Sequence, residues 1–245
     1  LSISKLARHF VRNQTQVVDL HMVDAHFSGA IAARLAKVPV VISNRRDLGY
    51  HYDLKSKCMV RLANPFVSRF IANAQVVADR MSELERVSRD RFDVIYNGID
   101  LEAFDASAAG SVSDDFARFT NRKRVISVAA NLRPVKCLNV FLDAAAQVIH
   151  ADPSFSDCVF VLMGEGNLRG ELEAQARQLG IRERVLFAGS VPSTAPYLVR
   201  SHIGCLSSRS EGFSNAVVEY MAAGLPSVVT EVGGLPEAIT NDQTG

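Results

Sequence analysis

Residues 158–188 read CVFVLMGEGNLRGELEAQARQLGIRERVLFA, and the fold turns on this stretch. Cys158–Met163 is an unbroken apolar run of the kind that a strand buried on both faces requires. Residues 168–179 carry apolar side chains at helical spacing and are closed by Gly180. Residues 185–188 are a second apolar run. Strand, helix and strand in about thirty residues form the βαβ unit of a parallel sheet.

The alternation continues on both sides. Residues 124–130 (RVISVAA), 203–207 and 227–232 read as further short apolar strands, and 138–150, 194–200 and 215–223 as helices, the last ended by Gly224 and Pro226. The second half is therefore expected to be a doubly wound α/β domain. The first half repeats the theme with a basic amphipathic helix over 3–11, a strand over 17–22, a helix over 25–37 and a strand over 39–43. Strand candidates at 70–74 and 94–96 follow. The Ala/Ser/Gly/Asp-rich residues 105–115 are the best linker, which gives domains over 1–105 and 121–245 joined by 106–120.

Composition narrows the function. The chain has 245 residues, 48% hydrophobic and 22% charged, with 27 Lys+Arg against 26 Asp+Glu. That composition is globular, and the formal charge of +1 offers no bulk attraction to nucleic acid. No apolar run approaches the roughly 18 residues of a membrane span. Cys58, Cys137, Cys158 and Cys205 are scattered without a C-x-x-C pair, which fits neither a zinc site nor a disulfide scaffold and suggests reduced cytosolic thiols.

The chemistry-bearing segments sit where apolar strands pass into helices. Ser208 to Glu219 place Glu211 in a loop after a strand, then Gly212, Phe213, Ser214 and Asn215 at a helix start, and Glu219 in its second turn. Helix N-termini at the carboxyl edge of a parallel sheet suit a phosphate, although Ser214 or Asn215 would also simply cap the helix. Gly233, Gly234 and Pro236 repeat the arrangement after the next strand. Arg133 and Lys136 follow the strand at 124–130 and form a plausible diphosphate clamp, with a solvated loop as the bland reading. Gly164-Glu165-Gly166 lacks the spacing of a dinucleotide fingerprint and reads better as a packing turn. His21, Asp24 and His26 cluster at a strand-to-helix passage, with Arg45, Arg46 and Asp47 after the next strand. They suggest acid/base chemistry or two metal ligands, and Asp24 equally a helix cap; without a third ligand, no metal site is expected.

Taken together, SEGFSNAVVEYMAAGLPSVVTEVGGLPEAI (210–239), VLMGEGNLRGELEAQARQLGIRERVLFAGSV (161–191), VIYNGIDLEAF (94–104) and AARLAKVPVVISNRRDLGY (32–50) resemble the retaining glycosyltransferases of family 4. That family has the GT-B fold, an α/β architecture of two Rossmann-like doubly wound parallel-sheet domains facing a cleft. The resemblance implies that both domains are incomplete here, the chain being truncated at both ends. It implies metal-independent transfer of a hexose-type sugar from a UDP- or GDP-sugar, with retention, to a glycan or lipid-linked acceptor in polysaccharide or glycolipid synthesis. No cofactor is expected beyond the nucleotide-sugar co-substrate.

Carried over residue by residue, the resemblance gives Glu211, His21 and Lys136 catalytic roles, with His26 as the fallback for His21. Arg133, Glu219, Gly212, Phe213, Ser214, Asn215, Gly164 and Val191 would bind the donor: Glu219 the ribose hydroxyls, Val191 the neighbourhood of the base. The family commonly has Gly-Arg at Ala130-Asn131 and Lys-Gly at Lys136-Cys137. These departures keep open a nucleotide-sugar-binding protein without transferase activity; a GT-B epimerase or phosphorylase is the enzymatic alternative. The implied location is the cytoplasm, with a peripheral contact at the inner face of the membrane where the acceptor is lipid-linked.

Overall fold

A computed structural model describes residues 2–244. The chain divides into two compact units: the residues up to Tyr96 together with Glu211–Phe213, and Asn97–Ser210 together with the residues from Ser214 onward.

In the first unit, strands β1 (Val17–Leu20), β2 (Val40–Arg45), β3 (Arg69–Ala72) and β4 (Phe92–Val94) pair in sequence order, all parallel. Val17 stands opposite Val40, Ile42 opposite Arg69 and Phe70 opposite Phe92. Helix α1 (Ile3–Arg12) precedes β1, and helices α2 (Val23–Leu35), α3 (Leu54–Ala63) and α4 (Gln75–Glu85) make the three connections. Burial alternates along β1 and β3, so Val18, Leu20, Phe70 and Ala72 enter the core. Small residues let α2 lie close to the sheet: a Cβ on Gly29 would stand 2.3 Å from Leu20 Cδ2.

The second unit holds helices α5 (Leu101–Ala108), α6 (Asp114–Thr120), α7 (Leu138–Ala151), α8 (Arg169–Gln178), α9 (Ala195–Leu198) and α10 (Asn215–Ala222). Its strands are β5 (Arg124–Ala129), β6 (Cys158–Met163), β7 (Val185–Gly189), β8 (Ile203–Leu206) and β9 (Ser227–Val229). They pair in parallel in the order β7-β6-β5-β8-β9, so the winding reverses between β5 and β8. Every residue of β6 is buried. Phe160 and Leu162 join the cluster under α7 and α8, while Val159, Val161 and Met163 join the one under α6, α9 and α10.

The expected linker does not separate the units. The division falls between Tyr96 and Asn97, and residues 106–120 contribute to α5 and α6 in the second unit. Asp100 caps α5 through the Ala103 amide (2.9 Å), Ser113 caps α6 through the Phe116 amide (3.2 Å), and Phe104 and Phe116 are buried. A composition of small residues concealed two capped helices, each anchored by one aromatic ring. Helices α3 and α4 also lie outside the sequence expectations; α3 carries a local start signal, Asp53 accepting from the Ser56 amide at 2.7 Å.

Candidate functional site

In the second unit, the loops at the carboxyl ends of β5, β7 and β8 carry most of the expected residues. After β5 the chain makes a tight turn over Pro134–Lys136 and reaches Cys137 at φ 47°, ψ 42°. This left-handed position is the one a glycine adopts most readily, so the cysteine keeps the turn at a backbone cost of about 1–2 kcal/mol. The turn is tied to the loop after β8: Ser207 Oγ lies 3.0 Å from the Lys136 carbonyl oxygen and 3.1 Å from that of Cys137, and the Arg209 amide donates to Val135 O at 2.9 Å. Arg133 is exposed and Lys136 half-buried on this tied loop.

The loop after β7, helix α5 and helix α10 border an open cavity of about 450 Å³ whose wall includes Val191, Ser193, Thr194, Glu219, Asp100 and Ser107. Two residues singled out from separate stretches of sequence, Val191 and Glu219, thus line one cavity. Thr194 Oγ1 donates to Glu219 Oε2 at 2.8 Å, and Ser107 Oγ donates to Ser193 Oγ at 2.6 Å. Thr194 was not legible as a site residue, because a lone threonine in a loop has no periodicity or motif to mark it. Ser214 occupies the N-cap of α10 but its side chain makes no capping bond, and Asn215 Oδ1 accepts instead from Asn97 Nδ2 at 2.7 Å.

Gly164 belongs to the packing turn. Its φ is 140°, and a Cβ there would stand 2.1 Å from the Ala130 carbonyl oxygen. The loops after β5 and β6 exchange backbone bonds, from the Ala130 amide to Met163 O (2.9 Å) and the Leu132 amide to Glu165 O (3.0 Å).

Glu211, Gly212 and Phe213 count with the first unit, so the two carboxylates of the E-x7-E motif belong to different compact units. Gly212 is buried, and a Cβ on it would stand 2.1 Å from Arg46 O and 2.9 Å from Asn73 Oδ1. The Phe213 ring lies 5.1 Å from that of Tyr96. His21 follows β1, half-exposed, with Nε2 3.1 Å from Asp19 Oδ2.

The other members of the His21 cluster part company, Asp24 standing exposed and His26 buried. Asp24 lies in the first turn of α2, whose N-cap is Met22 at φ 71°, so it does not cap the helix. His26 is buried under β2, with Nδ1 2.7 Å from Ser43 Oγ and Nε2 3.4 Å from Val60 O. Burial, then the Arg45 guanidinium, lower its pKa to about 4, which keeps the ring neutral. Arg45 is likewise buried: Nε and Nη2 donate to the two oxygens of Glu85 at 2.6 and 2.8 Å, and Nη1 to Ser43 Oγ at 2.7 Å. Arg45 Nη2, which can only donate, lies 3.3 Å from His26 Nδ1, so Nδ1 is the accepting nitrogen, the Ser43 hydroxyl donates to it and the ring proton lies on Nε2. Among the described residues no three His, Cys, Asp or Glu side chains gather as ligands for a metal ion.

Comparison with known sequences identifies the family. The profile described as Glycosyl transferases group 1 matches residues 122–245, half of the chain, and that described as Glycosyltransferase Family 4 matches residues 1–103. The chain belongs to the group 1 glycosyltransferases. Among curated members of this family, it is 25% identical over 254 residues to the UDP-Gal:alpha-D-GlcNAc-diphosphoundecaprenol alpha-1,3-galactosyltransferase of Escherichia coli, covering 100% of this chain and 65% of that protein. It is 29% identical over 180 residues to the Vi polysaccharide biosynthesis protein VipC/TviE of Salmonella typhi, covering 72% of this chain and 30% of that one. The D-inositol 3-phosphate glycosyltransferase of Mycolicibacterium smegmatis is 30% identical over 188 residues, covering 72% and 41%. The chain therefore spans between 30% and 65% of the length of these relatives. HepE of Anabaena, solved with UDP-glucose, superposes with a TM-score of 0.83 at 23% identity, over 98% of this chain and 65% of that one. The two parallel-sheet Rossmann-like units thus have the GT-B architecture of the family's solved structures.

Proposed function

We propose that this chain belongs to a retaining, metal-independent glycosyltransferase that moves a hexose from a UDP- or GDP-sugar to a glycan or lipid-linked acceptor. The observation that carries the reading is the cavity in the second unit where Val191 and Glu219 meet, with the cationic loop of Arg133 and Lys136 at the same sheet edge. Glu219 receives the ribose hydroxyls there and the backbone near Val191 receives the base. Arg133, Lys136 and the uncapped N-terminus of α10 at Ser214 and Asn215 meet the diphosphate.

In the reaction, the bond between the sugar's anomeric carbon and the diphosphate breaks as the acceptor hydroxyl oxygen bonds that carbon from the same face and its proton passes to the departing diphosphate oxygen. Negative charge grows on the leaving diphosphate, and the lysine, arginine and helix amides stabilise it. Glu211 orients the sugar hydroxyls, and His21 faces the donor sugar. Removing one such preorganised donor costs about 3–4 kcal/mol, on the order of a hundredfold to a thousandfold in rate. Lys136→Ala in the full-length enzyme should therefore lose at least about a hundredfold in kcat for donor hydrolysis, while Glu173→Ala should match the parent. Equal rates for Lys136→Ala and the parent would reject the clamp.

The reading extends to a cytoplasmic enzyme resting on the inner face of the membrane. No helix among the described residues is long and apolar enough to cross a bilayer. Helix α3 instead presents Leu54 (79% exposed) and Leu62 (68%) beside Lys55, a combination suited to an anionic lipid surface. Sedimentation with anionic but not neutral vesicles is the expected behaviour.

A further inference from the structure

Strands β5 and β8, between which the winding reverses, pair through Ile126 with Ile203 and Ser127 with Gly204. The pairing stops there, although β5 runs on to Ala129 and β8 to Leu206. Alternate residues of a parallel strand turn their backbone groups to opposite neighbours. The amides of Arg124 and Ala130 donate to Asp157 O and Met163 O on the β6 side, so the amide of Ala129 turns to β8. On β8, the Gly204 amide donates to Pro226 O and the Leu206 carbonyl accepts from the Thr230 amide, both on the β9 side, so the Cys205 carbonyl turns to β5. Continued in register, the ladder would bond the Ala129 amide directly to Cys205 O.

The Tyr220 hydroxyl stands between these two groups. Ala129 N donates to Tyr220 Oη at 2.9 Å, and Oη donates to Cys205 O at 2.9 Å. One phenol oxygen thus takes the place of one ladder bond, accepting from the first strand and donating to the second. The side chain is fully buried, and it reaches the sheet from α10 because β8 has a glycine against the ring: a Cβ on Gly204 would stand 2.6 Å from Tyr220 Cγ.

A direct backbone bond would satisfy the same amide and carbonyl, so their burial alone does not call for a hydroxyl. What the hydroxyl adds is separation, at the point where an open α/β sheet takes its ligand. Two parts of the second unit depend on it. The loop of Arg133 and Lys136 is tied to Ser207 and Arg209, just beyond Cys205. Tyr220 also follows Glu219 on α10, so the anchored ring fixes the rotation of the helix that brings Glu219 to Thr194. We propose that Tyr220 is a positioning residue whose hydroxyl parts β5 from β8 and so sets the cationic loop at the distance from α10 that a nucleoside diphosphate requires. The proposal rests on the reading of this region as the donor site.

The test is Tyr220→Phe in the full-length protein. Without the hydroxyl the strands close and pair directly, so NMR should show a scalar coupling across the hydrogen bond from the Ala129 nitrogen to the Cys205 carbonyl carbon that is absent in the parent. Hydrolysis of UDP-glucose or GDP-mannose should lose about tenfold to a hundredfold in kcat. UDP or GDP should bind about tenfold more weakly, while uridine or guanosine, which lack the diphosphate, should stay within about twofold of the parent. 4-Aminophenylalanine incorporated at position 220 keeps a donor at the same reach and should return hydrolysis to within about threefold of the parent. That protein also decides the matter should Tyr220→Phe fail to fold. A coupling already present in the parent, hydrolysis unchanged in Tyr220→Phe, equal losses for diphosphate and nucleoside, or poor hydrolysis with the amino side chain overturns the role. A parent that neither binds UDP or GDP nor hydrolyses either donor rejects the donor reading instead, and the coupling still decides whether the hydroxyl parts the strands.

Discussion

At the scale of single residues, the bond from Thr194 Oγ1 to Glu219 Oε2 fixes one carboxylate oxygen and leaves the other to turn into the cavity. If Glu219 reads ribose hydroxyls, Thr194→Val should weaken UDP or GDP binding about tenfold and leave binding of the 2′,3′-dideoxy nucleotide almost unchanged. Equal losses for both nucleotides, measured by titration, would point to a structural role for the threonine. Gly212 gives a second prediction: with Arg46 O 2.1 Å from the Cβ position, Gly212→Ala forces the loop to shift. It should cost about 1–3 kcal/mol in thermal unfolding. An unchanged melting curve would show that the loop yields freely. The sequence made Glu219 and Val191 legible because each lies in a motif of fixed order, whereas Thr194 and Tyr220 acquire meaning only from neighbours distant along the chain. Lys136-Cys137 is an intermediate case, since the turn is readable but the left-handed φ of Cys137 is not.

Among elements, β2 and α4 are joined by the Arg45–Glu85 pair, 5% and 1% exposed, with Ser43, His26 and Tyr52 in the same network. Burial, then the Glu85 charge, raise the Tyr52 pKa, so the phenol stays protonated and donates. Glu85→Ala strands a buried guanidinium and should destabilise the chain by about 3–5 kcal/mol in chemical denaturation. His26 supplies a pH dependence of definite sign. Its pKa is about 4 in the folded chain against an ordinary solvated value of 6.5, so below pH 6.5 the unfolded chain takes up a proton that the folded one refuses. Its contribution is intact above that pH and falls by about 2 kcal/mol between pH 7.5 and pH 5. A His26→Gln variant should lack that increment, and identical pH slopes for variant and parent would refute the assignment. None of this network was legible in the sequence. Arg45 and Glu85 are 40 positions apart, and a glutamate near the end of an unsignalled helix reads as solvated. His26 was legible as a member of a cluster but not as its buried member, because the one-residue offset that turns a side chain inward depends on where α2 begins.

For the molecule as a whole, the architecture was legible because continuous apolar strands alternating with closed helices leave few alternatives to a parallel sheet. The boundary between the units was not, since residues 106–120 owe their order to Phe104 and Phe116, which find their core only after folding. The two sheets differ in a way that bears on how the chain acquires its structure. Strands β1 to β4 pair in the order in which they are synthesised, so each finds its neighbour already present. Strand β5, the first of its sheet, ends in the middle, and its partner β8 comes some 77 residues later: the Val125 amide bonds His202 Nδ1 across that interval. Loop closure over such a separation is slow, and until it happens one edge of β5 is unpaired. In pulse-labelled hydrogen exchange during refolding, amides of β2 and β3 should therefore gain protection before those of β8. The unpaired edge of β5 is also where a co-translational chaperone would have most to do, because an apolar strand left waiting for its neighbour can pair with another chain.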